Sequence, residues 1–242
     1  MKNVVVFKIR GKFAHFLRAE AGVSALTYPV PPKTVLLGLI GAVLGLAKDR
    51  PQLELGLADI AVAGLIPLTH WHKVKLRKDP PEALPRVIKN SQKTNKDTKE
   101  EKASLIAQEW LFQPEYTVWA SLPESYHSCL EERLREHRWH YQPYLGLTEM
   151  PAEVEYLAGG VAIPMPPGCY EVESLVNQSQ AELNVSRVHA QGLALHIVRM
   201  PRTVTTDRVF THATYLVEKD ARPIPVNTGV AYQVGERTLM FL

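Results

Sequence analysis

Residues 28–45 read Tyr-Pro-Val-Pro-Pro-Lys-Thr-Val-Leu-Leu-Gly-Leu-Ile-Gly-Ala-Val-Leu-Gly. Prolines at 29, 31 and 32 hold the lead extended, and an apolar helix follows from Lys33 with glycines at 38, 41 and 45. Each glycine weakens a helix interior by roughly 1 kcal/mol relative to alanine, so the placement predicts that another backbone, protein or nucleic acid, approaches closely. Spacings of three, four and seven put the glycines on nearly one face. Leu36, Leu37, Ile40, Val43 and Leu44 are then left to bury against a sheet. Tight packing of one helix on its own protein is the alternative use of the same pattern.

Upstream, Val4 to Ile9 is a short β-branched apolar run that ends at Arg10 and Gly11 and reads as a strand entering a loop. The order strand, Gly-x-Phe-Ala-x-Phe-x-Arg, then Tyr-x-x-Pro-Pro-x-Thr-x-Leu-Leu-Gly-Leu-Ile-Gly, resembles the N-terminal signature of the CRISPR-associated protein family five. Two later segments are similar to the same family and follow in the right order: Tyr141-Gln142-Pro143-Tyr144-Leu145-Gly146 with Met150-Pro151-Ala152, and Met200-Pro201-Arg202 with Asp207-Arg208. The match is dense in residues 4–46 and 141–152 and looks most similar to members from type I-B systems. Family members cap the 5′ handle of the guide RNA (crRNA) in Cascade complexes. The resemblance therefore implies as partners the crRNA, the repeating backbone subunit, the large subunit and, indirectly, target DNA paired to the guide.

At 242 residues with 45% hydrophobic content, the chain is long enough to bury a real core. Its longest apolar run, Val35 to Ala47, is too short to span a bilayer, and Lys2 followed by a strand pattern is no signal peptide; a cytoplasmic protein with no membrane partner is expected. Cys129 and Cys169 lack paired metal spacing and read as ordinary buried thiols.

The net charge is only +3, but it is unevenly spread. Residues 70–96 hold eight Lys or Arg against two acids, an excess of six, so the remainder is slightly acidic. Pro80, Pro81 and Pro85 break any helix there, and the polar run from Lys89 to Lys102 has too few apolar residues to pack, which predicts an extended arm. The arm leaves the core near Leu68 and returns through Trp110-Leu111-Phe112 and a strand at Tyr116 to Ala120. Family members carry a hairpin "thumb" at this place that reaches over the guide RNA. By that resemblance Lys73, Lys75, Arg77, Arg86, Lys89 and Lys93 neutralise phosphates and Trp71 stacks on a base. Without the resemblance the same run reads as a solvated loop.

The succession of strand 4–9, glycine helix, strand 58–66, strand 116–122, helix 124–137 and strand 153–157 is the split βαβ order. The expected fold is α+β: a ferredoxin-like (RRM-like) RNA-binding domain over residues 1–158, with the basic β-hairpin thumb inserted at about 67–118. A small antiparallel β module over 159–242 follows, with strands near 193–198 and 215–218.

Further candidates for holding RNA are Gly11, Lys12 and Arg18 after the first strand, Lys33 and Thr34 at the helix start, and Gly38 within it. Tyr28 and Tyr144 either stack on bases or pack in the core, and Arg202 and Arg208 either reach RNA or form surface ion pairs. His70 and His72 beside Lys73 and Lys75, with Tyr28, supply in principle a proton shuttle and a phosphate-stabilising cation for metal-independent RNA cleavage. One subtype of the family is such a ribonuclease. This sequence offers no local motif to map its Tyr, Lys and His, so no catalytic residue is assigned. His137, His140 and Cys129 provide no evident fourth metal ligand, and no cofactor or metal is expected. The reading that results is a non-catalytic crRNA-binding subunit, with a precursor-processing endoribonuclease as its rival.

Overall fold

The computed structural model describes residues 1–18, 24–77 and 103–242. Its strands are β1 (Lys2–Arg10), β2 (Phe13–Ala14), β3 (Asp59–Ala63), β4 (Leu68–Arg77), β5 (Ala103–Phe112), β6 (Glu115–Ser121), β7 (Glu153–Pro164), β8 (Gly168–Val172), β9 (Val176–Asn177), β10 (Ala181–Leu183), β11 (Leu195–Val204), β12 (Phe210–Glu218), β13 (Ile224–Thr228), β14 (Tyr232–Val234) and β15 (Arg237–Leu239). The described helices are α1 (Lys33–Leu44), α2 (Arg50–Glu54), α3 (Glu124–Arg135) and α4 (Val185–Ala190). A six-stranded antiparallel sheet runs β15-β14-β7-β1-β6-β3, and three small sheets run β10-β13-β8, β11-β12-β9 and β2-β5-β4. The fold is thus mixed α/β, mostly antiparallel, with few helices.

The alternation of β1 places it at the centre. Val5, Phe7 and Ile9 face α1 and α3 in the main core, while Val4 and Val6 join Trp119, Val234, Leu239 and Phe241 on the other face. A strand covered on both sides has no solvent face, which is why Val4 to Phe7 reads as a continuous apolar run. On α1, residues Leu36, Leu37, Leu39, Ile40 and Val43 are buried. On α3 the buried stripe is His127, Leu130 and Leu134, at the helical spacing of three and four. α3 ends at Arg135, two residues short of the expected limit, and His137 takes a positive φ of 52°.

The three glycines of α1 do not share one role. A methyl group on Gly41 would stand 2.3 Å from Cγ of Pro51 in α2, so this glycine admits the neighbouring short helix. Gly45 is the C-cap, left-handed at φ 83°, and its N–H donates to Gly41 O at 2.8 Å. Gly38 has open space before it: a methyl group added there would meet nothing within 4 Å among the described residues. Two of the close approaches expected of this face are therefore made by the protein itself, and one is left free. The cysteine expectation is also corrected: Cys169 is exposed and Cys129 half-buried.

β7 runs through the expected 158/159 boundary, and β14 and β15 return to the first sheet. Among the described residues, no helix is long and apolar enough to cross a membrane.

Gly38→Ala is expected to stabilise the free protein by about 1 kcal/mol, and Gly41→Ala to destabilise it by about 1–3 kcal/mol because α2 must shift. Urea titration of the two variants against the parent measures both.

Candidate nucleic-acid interface

β4 and β5 form a two-stranded ribbon in register from Leu68↔Phe112 to Arg77↔Ala103. The period of two puts Trp71, Lys73 and Lys75 on one face of β4 and His70, His72 and Val74 on the other. Trp71 is 52% exposed, and both lysines are exposed. Arg77 ends β4, and Arg86, Lys89 and Lys93 lie outside the described residues.

On the histidine face, the ring of His72 stacks on Trp110 at 4.2 Å, and Phe13 of β2 lies 5.3 Å from Trp110 and 5.8 Å from Phe112. The Lys12 ammonium stands 5.7 Å from the centre of the Phe13 ring. This aromatic row is absent from the sequence-derived site, because Phe13, His72, Trp110 and Phe112 become neighbours only once β5 is paired between β2 and β4. The available signal was the every-other-residue placement of Trp110 and Phe112.

The loop after β1 is shaped by the segment 143–151. His15 N–H donates to Leu145 O at 3.0 Å, and an added methyl on Gly146, at φ 101°, would lie 1.9 Å from His15 O. A methyl on Gly11 would meet Leu145 Cδ1 at 2.7 Å and Pro151 O at 3.1 Å. Gly11 therefore serves the contact between these two segments, which sequence reasoning had placed against a phosphate. Lys12 and Tyr144, which is 38% exposed, remain at the surface of this joint. Tyr28 is 1% exposed and lies in the main core, with the Arg18 guanidinium 5.2 Å from its ring centre. Its ring is packed, which decides between the two uses left open for it and removes it from the surface that His70 and His72 share.

A second group gathers at the start of α1, which packs on β11. Pro32 provides no side-chain cap, so the first N–H groups of the helix keep their capacity to meet an anion. Lys33 is 7% exposed and makes no ion pair among the described residues. Burial, and after it the nearby positive charge of Arg202, lowers the pKa of its ammonium below the ordinary lysine value; Asp59 pulls the other way but is held by Lys2 at 2.5 Å. Thr34 lines a cavity of about 170 Å³ with Asp49, Gln52, Arg208 and Phe210. Arg208 is engaged there by Asp49 at 2.7 Å, the ion pair that sequence reasoning held as its second option.

The chain belongs to a family with this architecture. A family model described as CRISPR-associated protein (Cas_Cas5) matches residues 4–218, and the chain is a member of that family. The CRISPR pre-crRNA endoribonuclease Cas5d of Thermus thermophilus is 26% identical over 207 residues, covering 78% of this chain and 82% of the relative. Among solved structures, a CRISPR protein from Archaeoglobus fulgidus aligns at TM-score 0.56 and 12% identity over 98% of this chain and 97% of its own. A chain of a CRISPR RNA-guided surveillance complex aligns at TM-score 0.53 and 14% identity, covering 92% and 91%.

Because the folded state disfavours the charged Lys33, the unfolded chain holds the extra proton between the lowered value and the ordinary 10.5, and stability rises with pH across that interval. Lys33→Met is expected to melt higher than the parent at neutral pH and to lose this rise. Thermal melts of both proteins from pH 7 to 10.5 provide the check.

Proposed function

We propose that this protein is a non-catalytic RNA-binding subunit of a type I CRISPR surveillance complex, gripping the 5′ handle of the crRNA. The observation that carries the reading is the β4 face on which an exposed indole alternates with two exposed ammonium groups, Trp71, Lys73 and Lys75. Aromatic stacking and phosphate neutralisation are the two terms by which single-stranded RNA is held without a deep pocket. The aromatic row of Phe13, Trp110 and His72 with Lys12 offers a second surface of the same chemistry at the ribbon's base. Open space before Gly38 leaves room for a backbone to come close to α1.

The four central strands β7-β1-β6-β3, with α1 and α3 on one face, support the ferredoxin-like reading of residues 1–158 with the ribbon as an inserted thumb. The strands of 159–242 are then its β module, lending β14 and β15 to the first sheet. Type I-B membership rests on the segments 4–46 and 141–152. The backbone and large subunits, and target DNA through the guide, are the partners this reading requires, in the cytoplasm.

The second reading, a metal-independent endoribonuclease, is favoured by the activity for which the Thermus thermophilus relative is named. The residues weighed for cleavage in this sequence do not converge on one site. The trio considered for cleavage is dispersed, with Tyr28 in the core and the histidines on the ribbon face opposite Lys73 and Lys75. A proton shuttle and the group that stabilises the phosphorane must converge on one phosphate.

Labelled repeat RNA incubated with the protein in EDTA is expected to stay intact. A discrete product that disappears in His70→Ala or His72→Ala identifies the nuclease instead. For binding, Trp71→Ala is expected to weaken RNA affinity by about 1–3 kcal/mol while changing folding stability by less than about 0.5 kcal/mol, since the ring is largely exposed. Fluorescence anisotropy alongside thermal melts separates the two effects.

A further inference from the structure

The chain covers two borders of its main sheet and leaves a third open. Along β3, Ile60 O accepts from Leu242 N–H at 2.8 Å and Val62 O from Leu175 N–H at 3.0 Å; along β15, Thr238 O accepts from Glu173 N–H at 2.9 Å. β7 is different. Its inner side is paired with β1 from Glu153 to Ala162, but its outer side meets β14 only at Ile163 and Pro164. No other strand or backbone group among the described residues pairs with residues 153–161. A row of unpaired N–H and C=O groups accepts a further strand, and proteins that keep such an edge to themselves blunt it with charge, proline or a bulge. Nothing between Tyr156 and Tyr170 is charged, and the first proline in β7 is Pro164. The bulge in the β1 ladder falls at Leu157, which leaves the stretch Ala158-Gly159-Gly160-Val161-Ala162-Ile163 regular, with Val161 and Ile163 exposed.

The surface beside this edge has room for an added strand. The β14–β15 hairpin folds over the sheet face opposite the helices and sets the Arg237 guanidinium 5.6 Å from the ring centre of Trp119. A cavity of about 780 Å³ remains between them, walled by Val6, Trp119, Ala158, Gly160, Val234 and Glu236 among others. Ala158 and Gly160 present one methyl group and none, so alternate side chains of a neighbouring strand fit above them.

Charge selects the class of partner. The cations of this region are engaged: Lys8 by Glu115 at 3.0 Å, Arg10 by Glu153 at 2.9 Å and Arg237 by Glu173 at 3.5 Å. Glu155, opposite Lys8 in the ladder, and Glu236 in the cavity wall make no ion pair among the described residues. A nucleic acid would meet two free carboxylates and no unmatched cation here. A second copy of the same edge brings no Lys or Arg between Tyr156 and Tyr170. A different polypeptide supplies both what the backbone lacks and what the carboxylates attract.

We propose that the outer edge of β7 receives an extended segment of a second, different protein. The segment adds a strand beside Ala158 to Ile163, lays alternate apolar side chains over the cavity and carries a Lys or Arg toward Glu155 and Glu236. This surface lies away from the ribbon and stands independently of the RNA-binding reading.

The test uses the full chain and, as probe, the acetylated and amidated peptide Lys-Val-Thr-Val-Thr-Val-Thr-Lys. Hydrogen exchange of the segment 153–164 is followed by mass spectrometry as the peptide is titrated. At saturation the exchange of this segment is expected to slow roughly tenfold, the worth of one or two backbone hydrogen bonds. The same peptide with every amide N-methylated is expected to give no slowing, and the version with Glu in place of both Lys to bind more weakly. Val161→Lys, which charges an exposed position of the edge, is expected to abolish the slowing while melting temperature and RNA anisotropy stay at the parent values. Glu236→Lys is expected to reverse the preference between the two peptides. No slowing at any peptide concentration, or equal slowing in Val161→Lys, overturns the proposal. Slowing by repeat RNA alone overturns it in favour of a nucleic-acid contact, and slowing that grows with protein concentration, with a doubled mass by light scattering, in favour of a second copy. A parent that binds no RNA but shows the peptide effect removes the RNA-binding reading and leaves the strand seat standing.

Discussion

The backbone carbonyls at the end of α1 have no partners inside the helix, and the chain satisfies them with donors from ninety or so residues away. Arg133 donates to Val43 O at 2.9 Å, Tyr141 N–H to Ala42 O at 3.0 Å and His140 N–H to Val43 O at 3.3 Å. This ties α1 to α3 and to the segment that follows it, while the apolar side of α1 is held against β1. Once that lock is closed, other placements follow. The segment 143–151 is brought onto the loop after β1, and the start of α1 is left beside β11. The stretches of chain that carry the family signature are thus gathered around one helix, and the surfaces considered for RNA lie at its two ends and along the ribbon.

What could be read in advance depended on whether a residue's environment was local. The central strand, the two long helices and β6 and β7 announce themselves through periodicity and proline punctuation, since burial on one or both faces is written into successive residues. The ten-residue pairing of β4 with β5 does not, because β4 spaces lysines and histidines as a solvated strand would and its partner lies across a polar stretch. The fate of Tyr28 was equally hidden. An aromatic before a proline looks the same whether it is stacked outside or, as here, roofed by Arg18 and sunk in the core. Lys33 illustrates the opposite case, where a helix-start cation was legible but its burial beside Arg202 depended on a strand some 170 positions later.

Charge is handled differently in the body and on the ribbon. Body cations are mostly matched: Lys2 with Asp59, Arg10 with Glu153, Arg135 with Glu131, Arg187 with Glu171, Arg222 with Glu218. Such exposed pairs contribute little to stability, but they cancel the field of each partner. Among the described residues, Lys73 and Lys75 on the ribbon, Lys12 at its base, and Lys33, Arg199 and Arg202 are among the cations left without such a pair. Local groups of unmatched cations attract a polyanion without the molecule being strongly basic overall.

The position of β1 carries a consequence for how the molecule comes into being. Its neighbours in the sheet are residues 115–120 and 153–162, so this apolar strand is synthesised before either partner and has nothing to pair with until about a hundred further residues exist. Such distant pairing makes for slow folding and a long interval in which a bare valine-rich edge is open to the wrong neighbour.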